Sequence, residues 1–274
     1  MRPLALCLLF ASSAAAAPLQ IVRPILSDSD GGAALPASFG YRPGETVFFS
    51  CRLTNYQKTP QERMHAAYSI QAFDPKGVAL TELFKNEITE EVAPQDKEWM
   101  PRIATEIPIP PLIAPGTYRI LVTAEDLVAK LKTELSVPFE VRGRSPEPSG
   151  TLTVRDFHFY RGEEDAEALE KPAYRSGDVV WTRFDITGFR YGPNNKIDVS
   201  YQVSILDGSG KVLWTQPEPT GENTESFYPK LWIPASMSIT IQNNTRPGGY
   251  SIAVQVKDAI GNQTYEAKAA FTVE

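Results

Sequence analysis

Four stretches in the first half of the chain alternate apolar and polar residues with a period of two, and each has a counterpart in the second half. Val47, Phe49, Cys51 and Leu53 fall on one side of the first, with Ser50, Arg52 and Thr54 on the other. Val180, Thr182, Phe184 and Ile186 match the apolar set, and Arg183, Asp185 and Thr187 the polar one. Such a period predicts a strand with one face in the core and one in solvent. Tyr68, Ile70 and Ala72 pair in the same way with Tyr201, Val203 and Ile205. Ile120, Val122 and Ala124 pair with Ile252, Val254 and Val256, and Val137, Phe139 and Val141 with Ala269, Phe271 and Val273. The opening strands also align, Val22-Arg23 with Val154-Arg155 (154 − 22 = 132).

Turn residues punctuate both halves at matching places. Asp74-Pro75-Lys76-Gly77 and Asp207-Gly208-Ser209-Gly210 supply side chains that tolerate tight turns and positive φ. Between the last two strands, Asp126 to Leu135 carries good helix formers, whereas its counterpart from Asp258 to Gln263 holds the turn pair Gly261-Asn262. The repeat therefore predicts a hairpin in both, with room for a short helical turn in the first. Tyr41-Arg42-Pro43-Gly44-Glu45 returns as Tyr174-Arg175-Ser176-Gly177-Asp178 (174 − 41 = 133). Trp99 and Trp232 lie at the same interval. That spacing is too long for a solenoid repeat of about 20 to 50 residues and fits one compact domain.

About seven short strands per unit, with turn residues between them, predict an all-β chain of two tandem antiparallel β-sandwiches. The partition is residues 1–16 as a signal peptide, 17–142 as the first sandwich, 143–150 as a Pro/Gly linker and 151–274 as the second sandwich. The turns Pro115-Gly116-Thr117-Tyr118 and Pro247-Gly248-Gly249-Tyr250 resemble the tyrosine corner of immunoglobulin-like domains. The Tyr-Arg-Pro-Gly-Glu-Thr-Val stretch at Tyr41 is similar to the early strand of macroglobulin-type sandwich domains. The resemblance implies the fold and not an activity, because the paired cysteines of antibody domains and the thioester cysteine and length of macroglobulins are missing.

Arg2, the apolar run Leu4 to Phe10 and the small residues Ala14 to Ala17 predict an export signal cleaved after Ala16, and hence a periplasmic or extracellular protein. Leu4-Ala5-Leu6-Cys7 offers a lipid-anchor alternative, although the apolar segment surrounds that cysteine instead of preceding it. No stretch reaches the roughly 20 apolar residues of a transmembrane helix. Removal of the signal leaves Cys51 as the one cysteine, which excludes an intramolecular disulfide. The formal charge of −6 becomes −7 on loss of Arg2, with no basic cluster of the kind nucleic acid requires.

Candidate chemistry is sparse. Cys51 takes the inward position that Phe184 fills in the second copy, which predicts a buried apolar residue and not a nucleophile. His65 and His158, the two histidines, have neither a nucleophile nor a ligand cluster beside them in sequence. The acidic loops at Asp28 to Gly32 and Glu163 to Glu167 hold oxygens suited to calcium but lack the alternation of an EF-hand. No catalytic, metal or cofactor-binding residue is assigned, and no cofactor is expected. Phe48, Trp181, Trp99 and Trp232 are the candidate interaction surface, the first two on the outward face of one strand. Recurrence of Trp99 as Trp232 favours a packing role over binding, since duplicated copies keep shared packing while binding sites diverge. The expectation is a non-enzymatic, exported interaction or structural module with a protein or cell-envelope partner. The alternatives are a chaperone-like accessory protein that binds a client strand by β-augmentation, and a secreted hydrolase or inhibitor on the same scaffold.

Overall fold

The structure is a computed structural model that describes residues 17–274. The predicted export signal, residues 1–16, lies outside the described residues. Eight strands make up the first half: β1 (Gln20–Ser27), β2 (Gly40–Tyr41), β3 (Thr46–Thr54), β4 (Arg63–Phe73), β5 (Phe84–Glu91), β6 (Arg102–Pro108), β7 (Gly116–Asp126) and β8 (Leu131–Val141). Nine make up the second: β9 (Thr153–Tyr160), β10 (Ala173–Tyr174), β11 (Val179–Thr187), β12 (Ile197–Asp207), β13 (Val212–Thr215), β14 (Thr220–Thr224), β15 (Trp232–Thr240), β16 (Gly248–Asp258) and β17 (Gln263–Val273). A single 3-10 turn at Pro193–Asn195 is the one helical element among the described residues. No helix among them is long and apolar enough to cross a membrane.

Each half is a sandwich of two sheets. The first pairs β1-β3-β6 with β2-β8-β7-β4-β5, and the second pairs β15-β11-β9 with β10-β17-β16-β12-β13, where β14 also hydrogen-bonds to β12. All neighbours are antiparallel except the two-residue strands β2 and β10, which run parallel to β8 and β17. This is the immunoglobulin-like arrangement, and the alternation in sequence builds it. Val47, Phe49, Cys51 and Leu53 on β3 are buried against Ile103 and Ile107 of the same sheet and Ile120 and Val122 of the facing one. Val180, Phe184 and Ile186 on β11 meet Val203, Ile252 and Val254 in a separate second core.

Tyrosines pin both cores at matching points. The Tyr41 hydroxyl donates to the Ser27 carbonyl at 3.1 Å and Tyr174 to that of Tyr160 at 2.9 Å. Tyr118 donates to the Ala114 carbonyl at 2.7 Å and Tyr250 to that of Arg246 at 2.8 Å, so the tyrosine corner is present twice. Antibody domains carry their second bridging cysteine two residues after this tyrosine. Ile120 and Ile252 stand there instead, and apolar contact replaces the bridge.

Hairpins close both halves, as the repeat predicts, with turns at residues 127–130 and 259–262. The helix formers after Asp126 lose because β7 pairs with β8 residue by residue, from Gly116 with Val141 to Asp126 with Leu131, and β4 pairs on the other side of β7. Fully buried aspartates organise these turns. Asp126 accepts from the amides of Gln57, Val128 and Ala129, and Asp258 from those of Arg190 and Gly261. Each carboxylate thereby ties the hairpin to the loop after β3 or β11.

Two sequence expectations are corrected. The opening strands correspond one position away from the Val22 and Val154 alignment: Gln20 pairs with Thr54 as Thr153 pairs with Thr187, which sets Val22 against Arg155. Both strands carry a bulge centred on a non-glycine residue in the left-handed region, Arg23 (φ 53) and Asp156 (φ 49), which hides the register from a simple alternation count. Asp185, expected on a solvent face, is buried. Arg144 of the linker reaches it with both guanidinium nitrogens, Nη2 at 2.9 Å from Oδ1 and Nη1 on Oδ2, and Pro146 is buried as well. The linker therefore docks on the second sandwich instead of running free.

Candidate functional site

The four aromatic residues singled out by sequence do not form one surface. Phe48 and Trp181 do share the outward face of β3 and β11, each half-buried. Trp181 lies opposite Tyr160 and Ser238 in the sheet, and Phe48 borders a shallow 180 Å³ depression with Arg102 and Asp30. Trp99 sits just before β6, 38% exposed, edge-on to Tyr56 at 6.2 Å between ring centres. Trp232 is a correction: at 4% exposure it has no ring face to offer a partner. Register explains the difference. Arg52 pairs with Arg102 whereas Asp185 pairs with Pro234, so Trp232 takes the place of Met100, not of Trp99. A shift of one position sends the two rings to opposite faces.

The titratable candidates carry no catalytic geometry. Cys51 is buried, and burial pushes its thiol up to about 12. His65 meets Glu87 at 2.7 Å on the surface, and His158 is exposed on β9. In the acidic loops, Asp30 is held by Arg102 at 2.8 Å and Asp165 accepts from the Gly162 amide. No group of three or more His, Cys, Asp or Glu side chains converges among the described residues.

What the sequence reading missed is a contact between the sandwiches made by the loop between β14 and β15. Tyr228 leaves the second sandwich and packs into the first core, 7% exposed. Its hydroxyl donates to Asp74 Oδ2 at 3.1 Å. Asp74 Oδ1 meanwhile accepts from the amides of Lys76 and Val78, so one carboxylate both shapes the turn after β4 and receives the phenol. Burial first, then the neighbouring Tyr118 and Asp74, push the Tyr228 phenol well above its ordinary value. Phe227, beside it, lines the cleft between β5 and β6 together with Ile70, Leu80 and Ile107. An aromatic pair flanked by Ser226 and Pro229 was the available sequence signal, but it has no counterpart in the first half.

The second sandwich has a cleft at the matching place, between β13 and β15. It measures about 480 Å³ and is lined by Leu213, Trp214, Ile239, Thr240, Tyr250 and Ile252, among others. Ile239 and Thr240 hold the places of Ile107 and Pro108, and Tyr250 that of Tyr118. Trp214 pairs with Ile205 where the Leu80 amide bonds to Ala72, yet Leu80 is 4% exposed and Trp214 45%. Val212 and Leu213 are more than half exposed beside it. A run of three exposed apolar side chains on an edge strand is unusual on a monomeric surface. The cleft can hold an apolar or aromatic group, with the Trp214 ring as one wall and the open edge of β15 as the other.

No protein-family model and no curated protein matches the chain. Among solved structures it is similar to the C-terminal domain of the Streptococcus agalactiae AgI/II polypeptide BspA, with 8% identity, coverage of 93% of this chain and 100% of that one, and a TM-score of 0.34. The C-terminal domain of the Streptococcus pyogenes antigen I/II-family protein AspA gives 8% identity, 93% and 99% coverage and a TM-score of 0.32. A family 123 glycoside hydrolase from Clostridium perfringens gives 16% identity over 45% of this chain and 27% of its own, with a TM-score of 0.31. All three TM-scores are low, and none of these likenesses carries a functional argument.

Proposed function

We propose that the protein is a non-enzymatic interaction module, exported to the periplasm or the cell exterior, and that the cleft between β13 and β15 is its contact surface for a protein partner. The observation that carries the reading is the run of exposed Val212, Leu213 and Trp214 beside an apolar cleft of about 480 Å³, where the first sandwich buries Leu80 at the place of Trp214. Packing repeats while recognition diverges, and aromatic residues in a desolvatable pocket are the usual anchors of protein interfaces. Cys51, the one thiol among the described residues, is buried, and burial raises it to about 12, which is unlike a reactive nucleophile.

The expected result is that a photocrosslinker at position 214 captures a discrete envelope protein, and that Leu213→Asp abolishes the capture while Trp99→Ala leaves it intact. Capture that survives Leu213→Asp overturns the assignment of the surface. A second reading, capture of a client strand by β-augmentation, is favoured by one feature: β15 pairs only with β11, so its other edge is free beside the cleft. Pro234 removes one donor near its start, which leaves Ala235 to Thr240 as the stretch able to pair.

A further inference from the structure

The outer face of the larger sheet of the first sandwich carries a charge pattern that complements itself. Strand register lays Lys85, Ser69, Thr123 and Glu134 in one row across β5, β4, β7 and β8, and Glu87, Ala67, Glu125 and Lys132 in the next. Ala67, Ser69 and Thr123 floor an open trough of about 770 Å³, with charged side chains at its two rims. No residue of the second sandwich lines it. We propose that this face is an interface with a second copy of the chain, packed sheet against sheet about a two-fold axis that runs between β4 and β7. It is separate from the cleft beside Trp214, which lies on the other sandwich.

Charge names the second copy as the occupant. A two-fold axis parallel to the strands exchanges the rims, so each residue faces the one at the mirrored place in its own row. Lys85 then faces the partner's Glu134, and Glu87 faces the partner's Lys132, each contact being made twice. Within one chain Glu87 meets His65 at 2.7 Å and Lys132 meets Glu125 at 3.2 Å. Lys85 and Glu134 are both exposed and have no ion-pair partner among the described residues. They lie three strand spacings apart, about 14 Å, so they do not meet within one chain. The short side chains of the floor let two sheets approach to about 10 Å, a gap that the long rim side chains cross.

Size agrees with this reading. β4 and β5 are 11 and 8 residues long. Four such strands, at about 4.8 Å between strands and about 3.4 Å per residue, cover roughly 600 Å² per copy. The pair buries about 1,200 Å², the lower end of the range for specific interfaces. A contact of that size held by exposed charges makes a weak dimer that salt dissociates. The second sandwich lacks the pattern. Gln202, Gln255 and Glu266 take the places of Ser69, Thr123 and Glu134, and Lys268 holds Glu266 at 2.7 Å. At the other end of that row the Gln202 amide donates to the Gln216 carbonyl, where the first sandwich has Lys85.

The test is sedimentation of residues 17–274 at roughly 0.1 mM chain and an ionic strength of about 0.02 M. The expected result is a dimer whose dissociation constant rises at least about tenfold when ionic strength is raised to about 0.5 M. Lys85→Glu and Glu134→Lys each weaken it by about tenfold, and the two reversals in one chain restore it, since every facing pair is again of opposite sign. Because the two residues do not touch within a chain, that restoration reports contact between copies. Lys257→Glu, the same charge change on the matching face of the second sandwich, leaves the dimer intact. A carbodiimide, which joins an amine only to a carboxylate in contact with it, links Lys85 to Glu134. A monomer under these conditions, a dimer indifferent to the single reversals, or a double reversal as weak as the singles overturns the proposal. So does a dimer kept in Lys85→Glu and lost in Leu213→Asp, which would move self-association to the cleft beside Trp214.

Discussion

The hydroxyl of Tyr228 donates to Asp74 Oδ2 at 3.1 Å across 154 residues of chain, and it joins the two sandwiches. A flexible pair of domains would leave both groups in water, whereas here both are buried. Tyr228→Phe keeps the ring and strands one carboxylate oxygen, at a cost of about 2 kcal/mol. Tyr228→Ala also empties the space in the first core and costs about 4 kcal/mol. The loss falls on the sandwich that does not contain the mutation. Calorimetry is expected to show the first-sandwich transition lowered in both variants while the second changes little, and an unchanged first transition would refute the lock.

Arg144 and Asp185 fix the other side of the junction. The guanidinium is well exposed but the carboxylate is not, so Arg144→Ala leaves a buried charge with one strong partner fewer. The expected destabilisation of the second sandwich is about 2 kcal/mol, accompanied by faster proteolysis within residues 143–150. Arg144→Lys restores little, because an ammonium does not reproduce the two-nitrogen contact. Equal proteolysis of the parent and the alanine variant would show that the linker is not held.

Asp126 and Asp258 make a matched pair of experiments. Each caps a hairpin turn and bonds the amide of a neighbouring loop, at Gln57 and Arg190. Removing either carboxylate leaves two or more partly buried amides without their acceptor, so Asp126→Ala and Asp258→Ala are each expected to cost about 2 kcal/mol in urea denaturation. Asn at either position retains one acceptor and recovers part of the loss. A neutral effect in one copy would show that the repeated geometry is not repeated energetics.

The strands and the cores were legible because burial imposes a period of two, and duplication let each copy check the other. Faces were lost where register slips by one position. The bulges at Arg23 and Asp156 and the shorter offset of β15 turn a correct element into a wrong orientation, which is how Trp232 came to be matched with Trp99. Asp185 was misread for another reason: the alternation of β11 is local, but the linker that covers it arrives from outside the sandwich. Tyr228 was illegible in principle to a comparison of copies, since the first half has nothing to align with it. The cleft at Trp214 was half-visible, as an aromatic residue without an aromatic counterpart.

Alkaline pH should unfold the chain in a narrow window. Burial first raises the phenols of Tyr41, Tyr118 and Tyr174 from 10.0 to about 12, and Cys51 from 9.0 to about 12. A raised value means the folded form holds protons that the unfolded chain releases, so stability is complete below the unfolded values and falls as pH rises through the folded ones. The loss begins near pH 9 to 10 and is steepest towards about 12. Phenolate absorbance from these tyrosines is expected to rise together with loss of β-sheet circular dichroism. Titration of all eleven tyrosines before any unfolding would contradict the burial described. Thiol reagents should likewise reach Cys51 only at the rate of opening.

Thr182 offers a stabilising change. It occupies the core position that Phe49 fills in the first copy, it is completely buried, and its Oγ1 has no hydrogen-bond partner. A hydroxyl in that state has lost water without a replacement, while its methyl already packs in the core. Thr182→Val keeps the branched shape and removes the orphan, for an expected gain of about 1 kcal/mol in the second-sandwich transition. Thr182→Phe copies the first sandwich in name only. The neighbouring core is already occupied by Phe184, which meets Phe157 and Tyr201 at 5.2 and 5.3 Å between ring centres, so the larger ring is expected to destabilise by overpacking. A Val variant less stable than the parent would mean that the hydroxyl has a partner, and would place an ordered water inside the second core.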